Sequence, residues 1–99
     1  MALTAELQTL EALYNTLKNN VLLANEIQKS TDRDLNGAVW ESPNATAFRD
    51  AWASFKPALV QFETTLAMAA SDVATNHNNN AQVNGVREAP HLAPVAPVG

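Results

Sequence analysis

Apolar positions recur along this chain at alternating steps of four and three, in two long stretches separated by a short turn. In the first stretch, about residues 2–34, Leu3, Leu7, Leu10, Tyr14, Leu17, Val21 and Ala24 fall on one stripe of a helix. Leu13, Leu23 and Ile27 widen that stripe, and Leu22 lies nearly opposite it. The apolar face is therefore broader than a single partner helix covers. Asn15, Asn19 and Asn20 lower the local propensity, so tertiary packing has to hold this helix. The polar run Thr31-Asp32-Arg33-Asp34 and the turn dipeptide Asn36-Gly37 bring it to an end.

The second stretch, about residues 43–76, has the sharper pattern. Phe48, Trp52, Phe55, Leu59, Phe62, Leu66, Ala69 and Val73 follow an a/d seam, and Ala45 extends it backwards. These residues are read as core, whether the partner helix comes from the same chain, from another copy or from a paralogue. Pro57 is the misfit, since inside a helix it removes the bond to the Ala53 carbonyl and clashes with it. The seam keeps its phase across Pro57, so the expectation is a kink and not a break.

The start of this second helix is legible residue by residue. A residue before proline is pushed to extended angles. Those are the angles of an N-cap, and the Ser42 hydroxyl can accept from an orphan amide of the first turn. Pro43 then falls at the first helical position, where its missing N–H costs nothing. Trp40 is left just outside the helix, on the turn of residues 35–42. Leu35, Val39 and Trp40 are more apolar than a solvated loop needs and are expected to close one end of a bundle.

From Thr75 the periodicity stops. Asn76-His77-Asn78-Asn79-Asn80 is polar and of low complexity, and Gly85, Pro90, Pro94 and Pro97 follow. That composition predicts disorder over residues 78–99, with the Asn tract as a linker. The fold expected is all-α: an antiparallel helical hairpin within residues 1–77, dimerising into a four-helix bundle and trailing a disordered C-terminal tail.

Composition narrows the function classes. The chain has 99 residues and no cysteine, so disulfides and thiolate metal sites are excluded. Ten acidic against six basic residues give a net charge of −4. That balance lacks the clustered cations of a nucleic-acid footprint. No apolar run approaches a membrane span. The start, Met-Ala-Leu-Thr-Ala-Glu-Leu, has no basic or apolar region of a secretory signal. No Glu-x-x-His pair of a bundle metal site occurs. Asp32 and Asp34 read as a solvated helix end, and Asn44-Ala45-Thr46 as a coincidental glycosylation sequon. The expectation is a non-enzymatic protein without cofactor, metal, nucleic acid or small-molecule substrate.

Two heptad helices around a turn that carries Trp40-Glu41-Ser42-Pro43-Asn44-Ala45, followed by Phe48 and Trp52, resemble the WXG-motif family over roughly residues 3–76. These are the small helical-hairpin substrates of type VII secretion, the early secreted antigenic target superfamily, and the segment looks like the actinobacterial form of its motif. The resemblance implies that Trp40, Ser42 and Pro43 form a turn and secretion motif. It also implies pairing as a homodimer, or as a heterodimer with a paralogous hairpin. The type VII membrane ATPase would be a further partner, and export would follow a signal-peptide-independent route from the cytoplasm. Ser42 departs from the family's glycine, and the capping by Ser42-Pro43 explains how the turn survives. The family's export signal, a tyrosine followed four residues on by an acid after helix 2, is missing, since the one tyrosine is Tyr14. Members without it are typically exported with a partner that carries it. A cytosolic adaptor or chaperone that is never exported is the alternative. A membrane-active secreted bundle is a third, motivated by the broad face of helix 1.

Overall fold

Two helices carry the fold, α1 (Ala2–Gly37) and α2 (Pro43–Val83). The computed structural model describes residues 2–98, with side chains from residue 4 onward, so the Leu3 side chain lies outside the described residues. The helices run antiparallel and give a rod with extents of 62 × 18 × 16 Å. Among the described residues the chain is all-helical apart from the turn and the C-terminal segment.

The start of α2 follows from its residues. Ser42 is extended, with φ −172° and ψ 167°. Its Oγ accepts from the Ala45 amide at 3.0 Å, and Pro43 opens the first turn. The helix runs uninterrupted through Pro57, whose ring is exposed.

Both helices outlast their expected ends. α1 reaches Gly37 instead of stopping near 34, and α2 reaches Val83 instead of 76. The stop of α2 is chemical. Gly85 adopts φ +66°, its amide donates to the Gln82 carbonyl at 3.2 Å, and the Val86 amide donates to the Ala81 carbonyl at 2.9 Å. This paired closure, with a left-handed glycine just past the helix, is a Schellman motif. The Asn76–Asn80 tract, read as a linker, is helical, because His77 and Ala81 point inward and supply the packing that asparagine propensity does not.

The expected disorder of residues 78–99 does not hold for residues 78–98. After Gly85 the chain turns back and lies along the hairpin. Leu92 is buried with Tyr14, Ala70 and Ala74, while Val95 and Val98 pack against the cluster of Val21, Ala24, Leu59, Leu66 and Ala67. Composition argued for disorder, but three apolar residues spaced by three find a ready-made trench.

The seam also needs correction. Leu7, Tyr14, Val21, Leu59 and Leu66 are buried as expected, while Leu10, Leu17, Trp52 and Val73 are half-buried. Phe48, Phe55 and Phe62 are not core in this chain, being 44%, 54% and 55% exposed. The row of α2 that faces α1 instead holds Ala45, Leu59, Glu63, Leu66, Ala70, Ala74, His77 and Ala81. Apart from Leu59 and Leu66 its residues are small or polar, and the phenylalanines lie outside the contact.

Because Pro57 sits exposed inside a continuous helix, replacing it should cost no packing. Pro57→Ala restores a backbone donor for the Ala53 carbonyl and should stabilise the protein by about 1–3 kcal/mol. A higher urea midpoint at unchanged slope checks this, and a lower midpoint would contradict the uninterrupted helix.

Candidate functional site

Polar contacts across the hairpin set its register. Glu11 meets His77, Asn25 meets Glu63, and Asp32 meets Lys56. On each helix these contacts are spaced by two heptads and then one, so they share one seam. Glu63 is fully buried. Its Oε1 accepts from Asn25 Nδ2 at 2.9 Å, and the Gln28 amide nitrogen, in the orientation that opposes donor to acceptor, lies 2.6 Å from Oε2. His77 is fully buried too, with Nε2 2.8 Å from Glu11 Oε2 and Nδ1 3.1 Å from Asn78 Oδ1.

At the turn end, Asp32 is a clamp, where a solvated helix end was expected. Its Oδ1 accepts from the Trp52 indole N–H at 2.7 Å, and its Oδ2 pairs with the Lys56 ammonium. Hydrogen bonding from Lys56 and then from Trp52 holds the Asp32 carboxyl below its ordinary value.

Trp40 stands at the same end, half-exposed. Its ring lies 6.1 Å from that of Phe48, tilted by 47°. The Arg49 guanidinium sits 5.8 Å from the Trp40 ring centre, and Arg49 Nη1 donates to the Trp40 carbonyl at 2.9 Å. The indole is therefore flanked by Phe48 and Arg49 and presented, not buried. Of the three residues expected to close this end, Leu35 is half-buried, Trp40 is half-exposed and Val39 is fully exposed. A rigid aromatic corner is present, and the plug is incomplete.

The two broad sides of the hairpin differ. On α1, Leu13, Leu23 and Ile27 each precede an inward position (Tyr14, Ala24, Gln28) by one residue, and all three are exposed. On α2, Phe48, Phe55 and Phe62 each precede an inward position (Arg49, Lys56, Glu63) by one residue. One step back along a helix rotates a side chain by about 100°. In an antiparallel pair that rotation carries both rows to the same side. Three phenylalanines thus share one open face with Leu13 and Ile27, with Trp40 continuing it past Phe48, while Leu23 lines a surface depression on the back of α1 with Asn19, Leu22 and Glu26. Leu22, one step after Val21, is exposed and points to the other side. That other side carries the C-terminal segment.

Trp40 lies on the turn, Ser42 caps α2 and Pro43 opens it, as the sequence led one to expect, but the Asp32 clamp, the buried Glu63 and His77, and the groove for residues 92–98 were missed. Glu63 and His77 were findable, since each falls on a heptad with Ala45, Leu59, Leu66 and Ala70. Among the described residues, no cluster of three His, Asp or Glu could hold a metal ion. No helix there is long and apolar enough to cross a membrane. Compared with family models, curated proteins and solved structures, the chain matches none.

The lowered Asp32 value has a definite pH signature. Its stabilisation is fully present above the unfolded value of 3.8 and is lost as pH falls through the lowered folded value. Asp32→Asn should therefore lower the thermal midpoint at neutral pH, and the difference from wild type should shrink as pH drops below about 4. A thermal melt series checks this, and a difference that grows towards acid would contradict the clamp.

Proposed function

We propose that this chain works by helix-bundle association, as a WXG-like substrate or co-secreted partner of a type VII secretion system. The observation that carries the reading is the open face of Leu13, Ile27, Phe48, Phe55 and Phe62, which ends against the half-exposed Trp40. Heptad spacing of the three phenylalanines, with aliphatic residues beside them, suits helices laid lengthwise on the face as knobs into holes. A second hairpin, either another copy or a paralogue, would complete a four-helix bundle. No catalysis is assigned, and Glu11 with His77, Glu63 with Asn25, and Asp32 with Lys56 serve the register of the hairpin.

The resemblance of the turn supplies the secretion part of the proposal. Trp40, presented by Phe48 and Arg49, would form one element of a recognition surface for the membrane ATPase. The missing tyrosine signal favours co-export with a partner that carries it, and the exposed face gives such a partner a place to bind.

Two outcomes test these parts separately. Burying one phenylalanine contributes about 1.5–3 kcal/mol, so Phe55→Asp with Phe62→Asp should weaken self- or partner association by about a hundredfold or more. Light scattering after gel filtration reads this, while circular dichroism should stay unchanged because both side chains are exposed in the single chain. A wild type that remains monomeric alone and with its neighbouring paralogue would refute the bundle.

For secretion, culture supernatants are compared with and without a working type VII ATPase, with a cytosolic marker for lysis. Signal that disappears with the ATPase, and falls severalfold in Trp40→Ala, is expected. Protein confined to cells in both strains, with its partner present, would favour the cytosolic adaptor.

A further inference from the structure

The side of the hairpin opposite the phenylalanine face is built as a groove for an extended peptide. Its floor holds Ala67, Ala70 and Ala74, with Tyr14 and Leu17 as one wall. The polar groups along it all address main chain. Tyr14 Oη donates to the Ala93 carbonyl at 2.7 Å. The Asn78 amide makes a two-way pair with Leu92, donating to its carbonyl at 2.8 Å and accepting from its N–H at 2.9 Å. Ser71 Oγ accepts from the Val95 N–H at 2.9 Å and donates to its carbonyl at 3.1 Å. Leu92, Val95 and Val98 are the side chains turned inward, and Pro94, Ala96 and Pro97 are exposed. An inward residue at every third position is the period of a polyproline II helix.

Every contact therefore reads either the backbone or a three-residue apolar repeat, and none is tied to a side-chain group unique to residues 92–98. Reading main-chain carbonyls from an aromatic-lined groove is a general mode of proline-rich peptide recognition. The segment is also lightly held: one buried residue, two half-buried ones and three side chains bonding its backbone. We propose that this groove is a peptide-binding site for an extended, proline-rich segment of a partner protein, occupied here in cis by residues 92–98 of its own chain. The tether of residues 84–91 makes the occupant intramolecular, with an effective concentration of order millimolar. A partner peptide must compete with it, so the tail sets the threshold for binding at this side without touching the phenylalanine face.

The probe is a fluorescent synthetic peptide of residues 89–98, titrated into the full chain and into a full chain carrying Leu92→Asp and Val95→Asp. The disabled tail should leave the groove open, and the probe should bind more tightly than to wild type by a factor of one plus the ratio of effective concentration to its Kd, about tenfold for a Kd of about 0.1 mM. Adding Ser71→Ala and Asn78→Ala to the disabled chain should abolish that binding. Equal affinity for wild type and disabled chain, or no saturable binding to a disabled chain that keeps its helical circular dichroism, would overturn the proposal. Loss of self-association in the disabled chain would also overturn it, by assigning the tail to a second copy.

Hydrogen exchange on the wild type gives a reading that no variant can confound by unfolding. The Leu92 and Val95 amides should be protected, yet exchange at least tenfold faster than the amides of Ala67 and Ala70. Protection equal to those helix amides would make the tail a fixed part of the fold, and no protection would mean the groove is not occupied. Either result would overturn the proposal.

Discussion

Two helices side by side have a single line of contact, and everything in this protein follows from what that line can hold. Each helix carries more apolar surface than one neighbour covers. The line itself is filled by alanines, by Leu59 and Leu66, and by the buried polar groups Glu63 and His77. Leu7, Tyr14 and Val21 of α1 fill the other half of the line, and the phenylalanines of α2 are left outside it. The phenylalanines are displaced to one side, while the other side becomes a shallow trench between α1 and α2. A hairpin of this kind is two-sided by necessity, and the chain treats its two sides differently.

The polar pairs along the contact line explain why the hairpin has one register. A seam of alanine and leucine would tolerate a slip by a heptad. Such a slip would part Glu11 from His77, Glu63 from Asn25 and Gln28, and Asp32 from Lys56 together, because their spacings match on the two helices. A buried carboxylate without its donors costs several kcal/mol. Glu63 therefore penalises any alignment that leaves it without a donor, as a polar residue at one core position does in a coiled coil. Asp32 adds to this at the turn end, where its bond to the Trp52 indole fixes an aromatic residue that could otherwise move with the open face.

The features legible in the sequence were those encoded by neighbouring residues. Ser42-Pro43 states a helix start in two residues, and the structure places the cap there. The two helices were legible because apolar spacing averages over many positions. The facing row of α2 was harder, because Phe48, Phe55 and Phe62 dominate a hydrophobicity pattern while the row that packs combines alanines with two leucines, one glutamate and one histidine. Volume decides which row can enter a close contact, and hydrophobicity alone does not register volume. The tail was misread for a related reason. Its composition has too little apolar content to fold by itself, yet Leu92, Val95 and Val98 do not fold by themselves; they fill a trench made by residues some twenty to eighty positions away. The stop of α2 at Asn84-Gly85 was not read, because the apolar period fades at Thr75; the structure shows it in the bonds to the Ala81 and Gln82 carbonyls.

The open face and the turn are coupled through a single contact. Phe48 begins the row of three phenylalanines and also packs against the Trp40 ring, while Arg49, the next residue, contacts that ring and bonds the Trp40 carbonyl. A helix laid along the phenylalanine row must cover Phe48, and in covering it will remove water from the inner edge of Trp40. Desolvation strengthens the cation–π contact with Arg49 and narrows the positions open to the indole. Association along the bundle and presentation of the Trp40 corner are thus not independent properties. A partner on the open face would leave Trp40 more rigid and still half-exposed, so that a protein recognising that corner would favour the assembled bundle over the single hairpin without having to touch the second partner.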